Sequence, residues 1–222
     1  MTDEEHELRS FGRRRGRKPS ARQAGLLRDE LPRLAFKAQD FNAADGAHPL
    51  WLEIGFGGGE HLLWQARNNR DVRFIGCEPF EDGVVKVVNT VAGEGLENVG
   101  VHMGDAREVL RALPEASVSR AFVLFPDPWP KRKHRKRRLV NVSLLGLLAR
   151  VMRRGGELRV ATDIGDYART MLEAFRSEPR FAWQAESPAD WRIRPADWPS
   201  TRYEAKAVKA GRARYYFRFL RI

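Results

Sequence analysis

The chain has 222 residues, 42% of them hydrophobic, and is therefore long and apolar enough to bury the core of one α/β domain. Its 40 lysines and arginines outnumber its 29 acidic residues, and the formal net charge of +11 indicates an anionic partner. Nucleic acid is the first candidate and an acidic membrane surface the alternative, although no apolar run approaches the roughly 18 residues of a membrane span.

Cysteine and histidine usage narrows the class of protein further. The one cysteine, Cys77, cannot form an internal disulfide and fits a reducing compartment, and the sequence has no signal-peptide pattern. We therefore expect a cytoplasmic protein, either a monomer or a homodimer, that does not associate with a membrane. The five histidines lack metal-ligand spacing with one another or with Cys77, so we predict no metal site.

Residues 1–25 are predicted to form a flexible basic tail, and residues 26–222 a single domain. The stretch from Arg9 to Arg22 carries seven lysines and arginines, no acidic residue and almost nothing to bury. Such a segment is typically disordered and can become ordered on a polyanion, or it can simply remain solvated.

From Pro49 onward, strand patterns alternate with helical patterns. The predicted strands are Leu50–Gly55, Val72–Glu78, Asn98–Asp105, Arg120–Asp127, Glu157–Asp163 and Arg214–Leu220. The predicted helices are Glu60–Asn69, Gly83–Gly95, Ala106–Leu113, Leu139–Met152 (closed by Gly155 and Gly156) and Tyr167–Ser177. This alternation predicts an α/β fold with a single doubly wound, mostly parallel sheet, and the last segment predicts an antiparallel C-terminal strand.

A glycine-rich turn follows the first predicted strand, at the sheet edge where ligands of such folds bind. Gly55, Gly57 and Gly59 let the backbone turn sharply and approach a ligand closely. A dinucleotide-binding loop would need a glycine where this chain has Glu60, and the carboxylate of Glu53 would repel a pyrophosphate. The loop therefore favours a ligand with an amino group, or it is only a tight structural turn.

Three further acidic residues end the next three predicted strands. Glu78 can accept hydrogen bonds from both hydroxyls of a ribose. Asp105 can accept one from an adenine amino group, or it can cap the following helix. Asp127 lies between Pro126 and Pro128, which restrict the backbone around its carboxylate. Acidic residues at four strand ends beside a glycine loop indicate a ligand site more strongly than any one of them.

The pattern E-x-G-x-G-x-G at Glu53–Gly59, with Glu78 and Asp105, resembles the class I S-adenosylmethionine-dependent methyltransferases. More narrowly, the segments LFPDPWPKRKHRKRR, ATDIGDYA and TRYEAKAVKAG are similar to the motifs of the bacterial tRNA (guanine-N7)-methyltransferases. This resemblance implies S-adenosylmethionine as cofactor, tRNA as partner, and methylation of guanine N7 in the variable loop of tRNA.

The resemblance also implies roles for individual residues. It marks Asp127 as the catalytic residue and as a cofactor contact, together with Glu53, Gly55, Gly57, Gly59, Glu78 and Asp105. It assigns the RNA substrate to Lys131, Asp163, Thr201, Arg202, Tyr203 and Glu204. Lys131 opens an eight-residue run with seven lysines and arginines, which can neutralise phosphates. The tryptophans at 129, 191 and 198 could stack on bases, but tryptophan more often packs.

Three alternatives remain from the sequence. A nucleic-acid-binding protein without catalysis would not need the acidic strand ends, and a nicotinamide-dependent oxidoreductase would not place Glu60 in the glycine loop. A methyltransferase acting on DNA, protein or another RNA is opposed only by the later motifs.

Overall fold

The structure is a computed structural model and describes Gly16, residues 19–37 and residues 48–222. Most of the predicted basic tail lies outside these residues. Helix α1 (Ala21–Asp29) begins inside the segment 1–25, because Ser20 and Gln23 form a reciprocal capping box at its N-terminus. It is followed by the short helix α2 (Leu31–Leu34). Within the described residues, no helix has both the length and the apolar character that crossing a membrane requires.

The chain divides into two compact units, Met1–Pro114 and Glu115–Ile222. The first unit contains three strand–helix pairs: β1 (Leu50–Ile54) and α3 (Glu60–Asn68), β2 (Arg73–Cys77) and α4 (Glu81–Glu94), and β3 (Val99–His102) and α5 (Ala106–Ala112). β2 pairs in parallel with β1 and with β3, so the three strands have the order β3-β2-β1. Their carboxyl ends therefore lie along one edge.

The second unit begins with β4 (Val118–Leu124), a 3-10 helix (Arg132–Arg137) and α6 (Val142–Val151). It continues with β5 (Met152–Thr162), α7 (Gly165–Arg176), β6 (Phe181–Trp183), α8 (Ala189–Arg192), α9 (Arg202–Lys209) and β7 (Tyr215–Arg221). β5 pairs with β4 in parallel and with β7 antiparallel, and β7 also pairs antiparallel with β6. The prediction of an antiparallel C-terminal strand is confirmed.

Each unit buries apolar side chains of its own. In the first, four valines of α4 pack with Leu62 and Phe74, and all of these side chains are almost completely buried (the valines are Val84, Val87, Val88 and Val91). In the second, the rings of Phe175 and Phe219 stack with centroids 3.5 Å apart, which fixes α7 against β7.

The prediction that Gly155 and Gly156 close the helix Leu139–Met152 is wrong. Helix α6 stops at Val151 and β5 begins at Met152, so Gly155 and Gly156 lie inside the strand. Gly155 has a φ of 75°, and the register between β4 and β5 shifts between Val118 and Arg120. The glycines therefore serve a β-bulge, which glycine permits as readily as a helix end. Helices α8 and α9 and strand β6 were not predicted.

Two glycines of α4 should respond in opposite directions to alanine. A Cβ on Gly83 would overlap the carbonyl oxygen of Gly57, whereas a Cβ on Gly93 would meet nothing within 4 Å. We expect Gly83→Ala to lower the free energy of unfolding by about 1–3 kcal/mol. Gly93→Ala should raise it by roughly 0.5–1 kcal/mol, because alanine restricts the unfolded chain and favours the helix.

Urea unfolding followed by circular dichroism would measure both variants against the wild type. Equal stability of Gly83→Ala and the wild type would contradict a close contact between α4 and the glycine loop.

Candidate active site

The glycine loop after β1 has a backbone that only glycine adopts readily. Gly55, Gly57 and Gly59 have φ values of 77°, 56° and 80°, all in the left-handed region. A Cβ on Gly59 would also overlap Val87 of α4, whereas a Cβ on Gly55 would meet none of the described residues within 4 Å. The loop is therefore closed on the side of α4 and open beside Gly55, where a ligand has room.

Glu78 holds this loop from the end of the neighbouring strand. Its Oε2 accepts a hydrogen bond from the Gly57 N–H at 2.7 Å, and its Oε1 accepts one from the Phe80 N–H at 2.9 Å. Glu78 is 8% exposed, so these charge-assisted bonds form in a largely dry environment. The structure thus brings together two residues, Gly57 and Glu78, that the sequence assigned to one ligand.

Glu53 is buried and pairs with His61, to which the sequence alone assigned no role. Its Oε2 lies 2.7 Å from Nδ1 of His61, and Nε2 of His61 lies 3.2 Å from Nε2 of Gln65. The amide of Asn69 donates to Oε1 of Gln65, which orients the Gln65 amide nitrogen as donor towards His61. The network therefore fits a His61 that donates from Nδ1 to Glu53.

Asp105 caps α5 and also pairs with Arg107. The Arg107 backbone N–H and Nε each donate to its Oδ1 at 2.9 Å, and Nη2 donates to its Oδ2 at 2.6 Å. Burial by itself would raise the pKa of Asp105, but the hydrogen bonds and charge of Arg107 outweigh it and hold the pKa below its ordinary value. A ligand that takes this carboxylate must share it with Arg107 or displace the guanidinium.

Nearby Cys77 is buried at the end of β2. Burial, with the negative charges of Asp105, Glu108 and Glu78, raises the pKa of its thiol far above the ordinary value, so the thiol stays protonated and unreactive. Among the described residues, no group of three or more His, Cys, Asp and Glu side chains is arranged to hold a metal ion.

In the second unit, Asp127 lies in a strained loop after β4. Phe125 and Trp129 have φ values of 51° and 41°, which non-glycine residues rarely adopt. The Phe125 N–H donates to the carbonyl of Ala161 at 2.8 Å, which anchors the start of the loop. Partial desolvation raises the pKa of Asp127. Because Asp127 is exposed overall, water limits this rise of its pKa. The strained backbone at Phe125 and Trp129 is of a kind that is often found at functional sites.

Arg138 holds this loop through the backbone carbonyl of Pro128. Its Nε donates to the carbonyl of Pro128 at 3.0 Å, and its Nη1 and Nη2 donate to Thr170 Oγ1 and Asp166 Oδ2, each at 2.5 Å. The guanidinium also lies 4.8 Å from the ring centroid of Tyr167, and only 1% of the side chain is exposed. Arg138 is therefore a structural residue, and the expectation that the whole basic run faces phosphates is wrong for it.

The rest of the basic run divides between internal and outward contacts. Arg135 forms an ion pair of 2.8 Å with Asp166, and the guanidinium of Arg137 lies 5.0 Å from the ring centroid of Trp129. Lys131 is exposed at the N-terminus of the 3-10 helix. Its position fits the predicted contact with an anionic substrate.

The remaining predicted substrate residues lie after β5 and around α9. Asp163 accepts a hydrogen bond of 2.6 Å from Nε of Arg212. Thr201 caps α9 by accepting from the Glu204 N–H at 3.2 Å. The Arg202 guanidinium lies 5.2 Å from the ring centroid of Tyr203, and 43% of Tyr203 is exposed.

Glu204 is buried, in contrast to its neighbours on α9. Its Oε1 accepts a hydrogen bond of 2.6 Å from the hydroxyl of Tyr216 and lies 3.1 Å from Nε of Arg194. Burial and the hydrogen bond to Glu204 raise the pKa of Tyr216, so its hydroxyl remains a donor. Within the described residues, no hydrogen bond or ion pair joins Asp127, Asp163 and Glu204 to one another.

Sequence reasoning missed five residues that orient these acids: His61, Arg107, Arg138, Arg194 and Arg212. Only the Asp105–Arg107 spacing gave a local signal, because a basic residue two positions after an N-cap can reach back to it. Trp198 is 3% exposed and packs, as the usual behaviour of tryptophan suggested.

Comparison with known proteins covers most of the chain. A protein family described as "Putative methyltransferase" matches residues 47–217. A tRNA (guanine-N(7)-)-methyltransferase of Jannaschia sp. is 44% identical over 220 residues, which cover 94% of this chain and 92% of that protein. A protein of the same name from Ruegeria pomeroyi is 50% identical over 185 residues, covering 82% and 77% of the two chains.

Solved structures support the fold class. An antibiotic-related methyltransferase covers 83% of this chain and 93% of its own, with a TM-score of 0.56 and 15% identity. The aminoglycoside resistance methyltransferase NpmB1 covers 84% and 94%, with a TM-score of 0.55 and 18% identity. These likenesses confirm the predicted doubly wound, mostly parallel methyltransferase fold.

The contacts of Arg138 and Arg135 predict unequal effects of losing each cation. Arg138→Gln should lower the free energy of unfolding by about 2–3 kcal/mol, since it removes charge-assisted bonds from a buried position. Arg135→Gln is the matched control, because its ion pair to the same Asp166 is solvent-exposed and should contribute less than about 1 kcal/mol. Urea unfolding measures both, and equal losses in the two variants would contradict the structural role of Arg138.

Proposed function

We propose that the chain, which belongs to the tRNA (guanine-N7)-methyltransferase family, transfers a methyl group from S-adenosylmethionine to N7 of a guanine in the variable loop of tRNA. Family membership is the observation that carries this proposal. The sequence motifs that resemble the family lie on the strand ends and loops described above, and their side chains fit the roles proposed below.

The first unit fits the cofactor. S-adenosylmethionine carries an ammonium and a sulfonium and no phosphate, and it supplies a methyl group bonded to a positively charged sulfur. We assign its binding to Glu53, Gly55, Gly57, Gly59, Glu78 and Asp105. The open space beside Gly55 and the carboxylate of Glu78 support this assignment. Glu60 is the first residue of α3, at the helix N-terminus where the pyrophosphate of a dinucleotide would bind. Its negative charge would repel that pyrophosphate.

In the second unit, we propose that Asp127 also contacts the cofactor and acts on the reacting guanine. N7 of guanine has an in-plane lone pair, so attack on the methyl carbon needs no prior deprotonation. The methylated purine carries a positive charge, which an ionised carboxylate stabilises. The structure around Asp127 favours this role, because partial desolvation disfavours an isolated anion and makes a nearby cation more strongly stabilising.

The substrate side is assigned to Lys131, Asp163 and the segment Thr201–Glu204. Asp163 can accept hydrogen bonds from N1 and N2 of guanine, and Lys131 can neutralise a phosphate. Arg202 and Tyr203 are on the exposed face of α9, where they can reach RNA. Glu204 is held by Tyr216 and Arg194, so we propose that it fixes the start of α9 as well as facing the substrate.

The direct test is incubation with tRNA and S-adenosylmethionine labelled in its methyl group, followed by nucleoside analysis. We expect label in 7-methylguanosine. Label in another nucleoside, or in protein or DNA offered in place of tRNA, would contradict the proposal.

Asp127→Asn should lower the single-turnover rate by roughly 10–1,000-fold, since removing one preorganised electrostatic contact has an effect of this order. Between about pH 6.5 and 8.5 the Asp127 carboxylate is ionised, so the wild-type rate should not change with pH in this range. At lower pH, protonation of Asp127 removes its charge, and the rate should fall. The matched control is Glu115→Gln, an exposed acid in the same unit. A wild-type rate that rises tenfold per pH unit across this range would show that another group controls the step.

A further inference from the structure

A cleft in the second unit is lined by residues to which no role has been assigned so far. It has a volume of about 430 Å³ and runs between α7 and the β6–β7 pair. One side is aromatic and is formed by Trp183, Trp191, Tyr215 and Phe217. Phe217 is buried and forms the floor, whereas Trp183 is 44% exposed. We call this feature the aromatic cleft.

The aromatic rings form a continuous row. The rings of Trp191 and Tyr215 are parallel within 7°, with centroids 6.1 Å apart, and those of Tyr215 and Phe217 lie 6.4 Å apart at 24°. Trp183 meets Phe217 edge-on at 6.0 Å. Tyr215 and Phe217 face the same way because they are two positions apart on β7. The parts of these rings that line the cleft provide an aromatic surface for planar groups.

The opposite side of the cleft is predominantly cationic. Arg169 and Arg176 line it from α7, with Glu173 between them. Two arginines against one glutamate give this side a net positive charge. On the aromatic side, the guanidinium of Arg192 lies 4.4 Å from the Trp191 ring centroid and adds a further cation. An occupant with both planar and anionic parts matches this combination.

The cleft begins close to a residue assigned to the guanine. Tyr215 pairs with Thr162 in the β5–β7 ladder, and Asp163 is the next residue. Gly165 opens α7 and lines the cleft, and a Cβ at that position would lie 3.2 Å from the Tyr215 hydroxyl. An RNA strand that places guanine at Asp163 therefore has its adjacent nucleotide within reach of the cleft.

We propose that the aromatic cleft binds an unpaired nucleotide next to the target guanine, with its base on the Trp191–Tyr215 faces and its phosphate near Arg169 and Arg176. This inference rests on the proposed function, since it takes RNA as the substrate. Aromatic rings beside a positively charged groove are a usual means of holding single-stranded nucleic acid without reading its sequence.

Substitutions at Trp191 separate stacking from support of the fold. Trp191→Ala should weaken binding of a tRNA transcript roughly tenfold, within the range for the loss of one base–aromatic stack. Trp191→Phe keeps an aromatic face and should remain within about threefold of the wild type. The affinity for S-adenosylmethionine should not change in either variant. Unchanged RNA binding by Trp191→Ala, or equal losses in both variants, would overturn the proposal.

The charge contribution has its own matched control. The double variant Arg169→Gln, Arg176→Gln removes two cations from the cleft, and Arg153→Gln, Arg154→Gln removes two exposed cations from the opposite end of β5. We expect the first pair to weaken RNA binding at least fivefold more than the second. Equal losses would show only the general attraction of a basic surface, and the proposal would fail.

Direct binding distinguishes this inference from the proposed function. Penta-adenylate should quench the tryptophan fluorescence of the wild type, and Trp191→Phe should reduce the quenching. If quenching is absent while 7-methylguanosine still forms, the cleft proposal alone is wrong. If quenching occurs and no 7-methylguanosine forms, the proposed function alone is wrong. Quenching by penta-glutamate but not by penta-adenylate would assign the cleft to an acidic protein segment instead.

Discussion

The contact between Glu78 and the glycine loop is the constraint on which the proposed cofactor site depends. One carboxylate accepts the N–H groups of Gly57 and Phe80, and so ties the loop after β1 to the loop after β2. The loop cannot move towards α4, because Gly83 of that helix lies directly against the carbonyl of Gly57. Three left-handed glycines allow the chain to pass through this narrow space and enter α3.

A second regularity is that most of the proposed site acids have partners supplied by the protein. His61 holds Glu53, Arg107 holds Asp105, and Arg212 holds Asp163. These partners orient the carboxylates before any ligand arrives. They also compete with the ligand, most directly at Asp105, where both carboxylate oxygens already accept from Arg107.

Asp127 differs from these acids in how it is positioned. Its carboxylate lies in a loop held through the backbone, by Arg138 at the carbonyl of Pro128 and by the Phe125 N–H at Ala161. Among the residues that the structure describes, no cation forms an ion pair with this carboxylate, and its pKa rises instead of falling. This is the arrangement expected of a group that stabilises a charge appearing during the reaction.

The sequence allowed the strands and the glycine loop to be predicted because their signals are local. Leu50–Ile54 is an apolar run that ends at glycine, and Glu78 follows the next such run. The position of Gly155 could not be derived, since a glycine pair after an apolar helix fits a helix end and a bulge equally well. Arg138 looked like any other cation of its run, because its partner Asp166 lies 28 residues further along the chain.

The region before α9 shows a further reason for incomplete prediction. Gln184–Thr201 has few apolar residues and no clear period, so α8 gave no signal, although it carries Trp191. The position of α8 is set by packing of the Trp191 ring against Tyr215 of β7, which lies 24 residues further along the chain. The hydrophobic periodicity of a sequence does not reveal long-range aromatic contacts of this kind.

The central claim is that N7 of guanine is the atom that receives the methyl group. A tRNA transcript with 7-deazaguanosine in place of guanosine has C–H where N7 should be, and keeps its Watson–Crick edges. Offered with methyl-labelled S-adenosylmethionine, it should bind with nearly the affinity of the guanosine transcript and take up no label. Label in the 7-deazaguanosine transcript would contradict the account, because the methyl group would then have gone to another atom.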